Sequence, residues 1–135
     1  MRGRKPQSIA SASGVIRDVP RPPAWLSQDA RKEWRRVAPL LVERGILTEA
    51  DLGALEGYVT AHARTIEAER TIRSEGATYL GTSGPKRHPA VTTQDAALKT
   101  MRLFASELGL TPVSRSRPSI RADDAPSPDD DDLDV

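Results

Sequence analysis

The sequence predicts an all-α fold, in which a helical hairpin with one long helix packs with a third helix between disordered tails. Three observations lead to this prediction. Apolar residues recur at helical spacing in three segments, residues that start and stop helices flank those segments, and both ends are rich in Pro, Ser and charged residues. We therefore expect a disordered basic arm at residues 1–23, a helical core at 24–110, and a tail at 111–135 that is first basic and then Asp-rich.

The first helix is predicted at about Gln28 to Arg44, with Ser27 as its N-cap and Gly45 as its stop. Its apolar residues follow at i, i+4, i+7, i+8 and i+11, which places them on one face: Ala30, Trp34, Val37, Ala38 and Leu41. Pro39 lies inside this pattern and removes one internal hydrogen bond, so we expect a kink or a break there.

The second helix is predicted at about Glu49 to Ser74, because Thr48 and Asp51 match a capping box and Gly76 supplies a stop. One face carries an apolar stripe: Leu52, Leu55, Val59, Ala63 and Ile66. The opposite side carries small residues, which are candidates for an oligomer interface: Ala50, Gly53, Ala54, Gly57 and Ala61. The alternative is that the first and third helices of the same chain cover both stripes.

The segment 76–90 predicts a loop or a short hairpin, since it contains several Gly and Pro residues. A third helix is predicted at about Thr92 to Leu108, with Gly109 as its stop. Its buried positions follow from helical spacing and are Ala97, Met101, Phe104 and Leu108.

The net charge of +1 hides basic flanks and an acidic end, because residues 123–135 contain seven Asp and no basic residue. The basic residues predict DNA contact, and an Arg-Gly-Arg segment near the start suits a narrow minor groove. A nonspecific phosphate-binding arm and, for the first helix, an ordinary solvated face are the alternatives. The candidate DNA-binding residues are Arg2, Arg4, Lys5, Arg31, Lys32, Arg35, Arg36, Lys86, Arg87, Arg115 and Arg117. The Asp-rich end is either a solubilising tail or a competitor of DNA for basic surfaces.

Catalytic and metal-binding patterns are weak. The chain has no Cys, and the glycines around Lys86 lack the spacing of a phosphate-binding loop. His62 is predicted to be a packing or surface residue, and Asp129–Asp132 lacks the spaced ligands of a calcium loop. No apolar run approaches the length of a membrane span. We expect a non-enzymatic intracellular protein without a metal or cofactor.

Four segments resemble the small subunit of tailed-phage terminases: MRGRKP at the start, PPAWLSQDARKEWRRVAPLLVERGILTEAD at 22–51, the loop with Gly84, Lys86 and Pro89, and LGLTPVSRSR at 108–117. The resemblance implies a non-catalytic homo-oligomer that assembles as a ring and engages double-stranded viral DNA in the bacterial cytoplasm. It also implies a large subunit, with ATPase and nuclease activities, as partner. The rival hypotheses are a helix-turn-helix transcriptional regulator and a structural head or connector protein.

Overall fold

The structure of the protein, a computed structural model, describes residues 14–116. Its elements in chain order are α1 (Gln28–Glu43), a 3₁₀ turn (Glu49–Asp51), α2 (Leu52–Glu75), β1 (Thr78–Gly81), β2 (Gly84–Arg87), α3 (Pro89–Glu107) and α4 (Pro112–Ser116). The prediction of a helical hairpin with one long helix and a third helix is confirmed. The prediction of a purely all-α fold is wrong, because β1 and β2 form an antiparallel pair.

The ends of α1 form as the local sequence predicts. The Ser27 hydroxyl accepts a hydrogen bond from the Ala30 amide at 3.3 Å. Gly45 adopts a φ of +67°, which favours glycine. Its amide donates to the Val42 carbonyl, and the next amide, that of Ile46, donates to the Leu41 carbonyl. This pair of bonds is a Schellman motif, and it turns the chain sharply towards the second helix.

Pro39 does not break α1, which continues from Gln28 to Glu43. Of the predicted alternatives, a kink or a break, the break is therefore excluded. Pro39 lies on the exposed side, where the carbonyl that loses its amide partner can be hydrated. The buried side chains of Val37, Ala38 and Leu41 hold the opposite face against the core.

The capping box at the start of the second helical segment is confirmed. The Thr48 amide donates to Asp51 Oδ2 at 2.9 Å, and the Thr48 hydroxyl donates to the same oxygen at 2.8 Å. The first turn is a 3₁₀ turn, and α2 begins at Leu52. α2 ends at Glu75, and Gly76 follows with a φ of +88°.

The segment between α2 and α3 is a hairpin with a two-residue turn, in which Tyr79 pairs with Lys86 and Leu80 pairs with Pro85. α3 begins at Pro89, three residues before the predicted start, because proline is favourable at the first helical position. His88 caps this helix, since its Nδ1 accepts a hydrogen bond from the Ala90 amide at 2.9 Å.

The core lies where α1 and α3 pack against α2. Its largest fully buried side chains are Trp34, Leu41, Leu47, Leu55, Val37 and Val59. The segment before α1 also packs on this core. The Ile16 amide donates to the Leu47 carbonyl at 2.8 Å, and Trp34 Nε1 donates to the Pro20 carbonyl at 2.8 Å. Residues before α1 thus contact the core at two points.

Candidate nucleic-acid interface

The four basic residues predicted on α1 fall into two groups. Lys32 and Arg35 are exposed. Arg31 instead donates to the Ala24 carbonyl, and Arg36 donates to the carboxylate of Glu33. Two of the four cations are thus engaged within the chain, while Lys32 and Arg35 point to solvent from the same turn of the helix.

Glu33 is the buried charge that connects α1 to α2. Arg36 Nε lies 3.0 Å from both carboxylate oxygens, and the Tyr58 hydroxyl donates to Oε1 at 3.1 Å. His62 Nε2 lies 3.4 Å from Oε2, and the side chain of this histidine is partly exposed. Burial alone would raise the pKa of Glu33, but the hydrogen bonds from Arg36 and Tyr58 and the nearby His62 lower it overall.

Replacing Glu33 with glutamine should weaken the dependence of stability on acid pH. A pKa held below its ordinary value of 4.5 gives a stabilisation that is complete above that pH and is lost as pH falls through the lower value of the folded protein. We expect the variant to be about 1 kcal/mol less stable at pH 7 and to lose less stability on acidification. Chemical denaturation from pH 7 to pH 3 measures both effects.

The matched control is Glu43→Gln, which removes an exposed carboxylate from the same helix. It should leave the acid dependence of the wild type nearly unchanged. If Glu33→Gln and Glu43→Gln gave the same pH profile, Glu33 would have no role in acid stability.

A second ion pair fixes the start of α1 on α2. Arg70 Nη1 lies 2.6 Å from Asp29 Oδ2, and Arg70 Nη2 lies 3.1 Å from Asp29 Oδ1. The hydrogen bonds from Arg70 lower the pKa of Asp29. Two parallel hydrogen bonds restrict the orientation of α1 relative to α2, so the exposed Lys32 and Arg35 project from a helix in a defined position.

The hairpin carries the second group of predicted bases. Lys86 and Arg87 are exposed, and the side chain of Leu80 near its turn is 84% exposed. Consecutive residues of a strand point to opposite faces, so Lys86 lies beside its partner Tyr79 while Arg87 faces away. Arg87 Nη1 lies 3.6 Å from Oδ2 of Asp95, in the second turn of α3.

The base of the hairpin is held by His88. Its Nε2 lies 2.8 Å from Glu75 Oε2, so the last residue of α2 contacts the residue that caps α3. His88 is therefore engaged at the ends of α2 and α3.

The remaining predicted bases lie near the ends of the chain. Arg115 is exposed on α4, a short helix in the segment that the sequence assigned to the tail. Arg2, Arg4, Lys5 and Arg117 lie outside the described residues.

Sequence reasoning did not select Arg44 and Arg102, which line a groove between α1 and α3 together with Arg36. Arg36 and Arg44 are eight residues apart, a spacing that places both on one side of a helix and could have indicated a basic edge near the end of α1. Arg102 could not be found in this way, because its position opposite α1 depends on how α3 crosses the core.

The small residues predicted as an oligomer interface are in different surroundings. Ala50 and Gly53 are exposed, Ala54 packs partly on the core, and Ala61 is buried. A Cβ at Gly57 would lie 2.6 Å from the Phe104 ring of α3, so an intrachain contact accounts for this glycine.

Part of the small-residue face lines an open groove between α2 and α3. Its volume is about 700 Å³, and its wall includes Gly53, Gly57, Ala61 and the exposed side chain of Trp25. Small side chains on α3, such as Ala96, form the other wall.

Fold and surface together define a small, mostly helical protein with exposed basic side chains on a helix and a hairpin. Within residues 14–116, no group of three His, Asp or Glu side chains could hold a metal ion, and none of the helices could cross a bilayer. The family model described as phage terminase, small subunit, matches residues 30–125, and the chain belongs to that family. No curated protein and no solved structure matches the chain.

Proposed function

We propose that the protein is a non-catalytic, DNA-binding oligomer that recognises viral DNA and recruits or regulates the large subunit, which carries ATPase and nuclease activities. It would act in the cytoplasm of the bacterial host. Membership of the terminase small-subunit family supports the role in genome packaging. The exposed bases of α1 and the hairpin support the contact with DNA.

The observation that carries the DNA proposal is the placement of Lys32 and Arg35. Both are exposed, and within the described part of the chain neither forms an ion pair. The helix that bears them is fixed to α2 through Asp29 and Glu33. Two unpaired cations on a fixed helix suit contact with the phosphate backbone, which provides most of the affinity in nonspecific DNA binding.

Self-assembly is supported by the groove between α2 and α3. The side chain of Trp25 is 64% exposed at its edge, and Gly53 leaves space there for another side chain. Small residues allow close helix approach, so this face suits a contact with a second copy.

A gel-shift titration over a salt series tests DNA binding. The double variant Lys32→Ala, Arg35→Ala should weaken binding to double-stranded DNA about tenfold at low salt. It should also reduce the slope of log affinity against log salt concentration by about one to two, because fewer counterions are released when phosphate contacts are lost. Lys86→Ala, Arg87→Ala measures the share of the hairpin in the same way.

The matched control is Arg73→Ala, Lys99→Ala, which removes the same charge from exposed positions outside the predicted set and outside the groove between α2 and α3. Its affinity and slope should stay close to those of the wild type. Equal losses in the control and the α1 variant would show a nonspecific effect of net charge. An absence of retardation by the wild type even at low salt would refute the DNA proposal.

A further inference from the structure

The groove between α1 and α3 combines a basic rim with an apolar floor. Arg36 of α1, Arg44 directly after α1 and Arg102 of α3 form the rim around a volume of about 390 Å³. The floor consists of Val37, Leu40, Tyr58, Met101, Ala105 and Leu110. We call this feature the arginine groove.

The positive charge of the arginine groove is not balanced by its own lining. Arg36 is paired with Glu33, but neither Arg44 nor Arg102 forms an ion pair with any residue between 14 and 116. No Asp or Glu belongs to the lining of the groove. A ligand for this groove should therefore carry negative charge together with an apolar group.

A segment of the same chain has this chemistry. Residues 123–135 contain seven Asp, no base, and a leucine, Leu133, between Asp132 and Asp134. They lie outside the described residues. We propose that this Asp-rich segment docks in the arginine groove, with carboxylates on Arg44 and Arg102 and with Leu133 on the floor. Charge-assisted contacts of carboxylate with guanidinium are among the stronger hydrogen bonds in proteins.

The path of the chain permits this docking. Leu110 lines the groove, and the described chain ends at Ser116, six residues later. Fully extended, the chain from Ser116 to Asp129 spans at most about 45 Å. This reach exceeds the length of α1, about 24 Å, which forms one wall of the groove. A tethered segment also has a high effective concentration at a nearby site, in the millimolar range for short links.

This proposal goes beyond the proposed function and does not depend on DNA binding. A docked Asp-rich segment would cover the three arginines and hold them away from phosphates and from acidic surfaces of other proteins. The groove would then be a surface that the chain masks itself.

Peptide binding to full-length protein tests the docking. The probe is a fluorescein-labelled peptide of residues 123–135, and its binding is measured by fluorescence anisotropy at physiological ionic strength. Full-length protein with the seven Asp of this segment changed to Asn should bind the probe. The wild type should bind it at least fivefold more weakly, because its own segment occupies the groove.

Two further variants in the Asn background locate the binding site. Arg44→Glu, Arg102→Glu should weaken probe binding at least tenfold. Lys32→Glu, Arg35→Glu makes the same change of charge outside the groove and should alter binding by less than twofold. Both variants should fold, since all four side chains lie outside the buried core. Circular dichroism checks this expectation.

Three results would overturn the proposal. These are an absence of probe binding to the Asn variant, equal binding by that variant and the wild type, and equal weakening by the two charge reversals. The gel-shift experiment is independent of these results, because it contains no peptide and measures the retardation of DNA.

Discussion

Replacing Trp34 with alanine is expected to lower the free energy of unfolding by about 3–5 kcal/mol, the usual range for truncating a fully buried tryptophan. The side chain is 2% exposed and lies in the core cluster with Leu26, Val37 and Leu55. Its indole also donates to the Pro20 carbonyl at 2.8 Å, so the truncation removes a link to the segment before α1 as well. Chemical denaturation followed by far-ultraviolet circular dichroism measures the loss.

Trp25 provides a matched control for this experiment. It is the other tryptophan of the chain, and its side chain is 64% exposed. Trp25→Ala should therefore change the stability by no more than about 0.5 kcal/mol. Equal stability of the two alanine variants would contradict the placement of Trp34 in the buried core.

Trp34→Phe separates the hydrogen bond from the burial of the ring. Phenylalanine keeps an aromatic ring in the core but cannot donate to Pro20, so a loss of about 1 kcal/mol is expected from the hydrogen bond, with a smaller share from the change in volume. Hydrogen exchange at the Ile16 amide, which donates to Leu47, should rise in this variant if Trp34 holds the segment in place.

The features that the sequence predicts well are those set by neighbours along the chain. Ser27, Gly45 and the Thr48–Asp51 pair act within three or four residues, so their roles follow from local rules. The spacing of the buried positions on α1, three or four residues apart, is equally a local pattern. The sequence predicts the start of α3 three residues too late, because Pro89 has the character of a loop residue although proline is also favourable in the first turn of a helix.

The features that the sequence misses depend on how the helices cross. Glu33 looks like one more surface charge in a basic helix, and only the approach of Tyr58 and His62 from α2 shows that it is a buried acceptor. The arginine groove has the same origin, because Arg102 faces α1 only in the folded chain. Candidate bases such as Arg31 and Arg36 were selected by charge, and charge alone does not show that a side chain already has a partner.

The stripe of small residues on α2 illustrates the limit of a pattern with two explanations. Helical spacing places Gly53 and Gly57 on one side, but it does not tell whether another subunit or the same chain covers them. The structure gives Gly57 a neighbour within the chain, Phe104, and leaves open space at Gly53. A substitution at Gly57 therefore tests packing within the chain, whereas a substitution at Gly53 tests contact with another molecule.

Gly57→Leu should destabilise the fold by about 3 kcal/mol, the upper end of the usual range for overpacking. Even a Cβ would lie 2.6 Å from two atoms of the Phe104 ring, so the leucine must displace this ring or move α3. The loss should shrink when Phe104→Ala is combined with it, because the leucine then has the volume that the ring vacates. A double-mutant cycle of the free energies of unfolding, obtained by chemical denaturation, measures this coupling.

Gly53→Leu is the matched substitution that separates folding from assembly. Nothing lies within 4 Å of a Cβ at this position, and leucine favours a helix by about 1 kcal/mol over glycine, so the variant should be at least as stable as the wild type. Its side chain would nevertheless enter the groove beside Trp25. If a second copy packs there, light scattering should show a smaller assembly for Gly53→Leu in a protein that is still folded. An unchanged mass would exclude this face as the interface, whereas a lower mass for Gly57→Leu alone would report only the damaged fold.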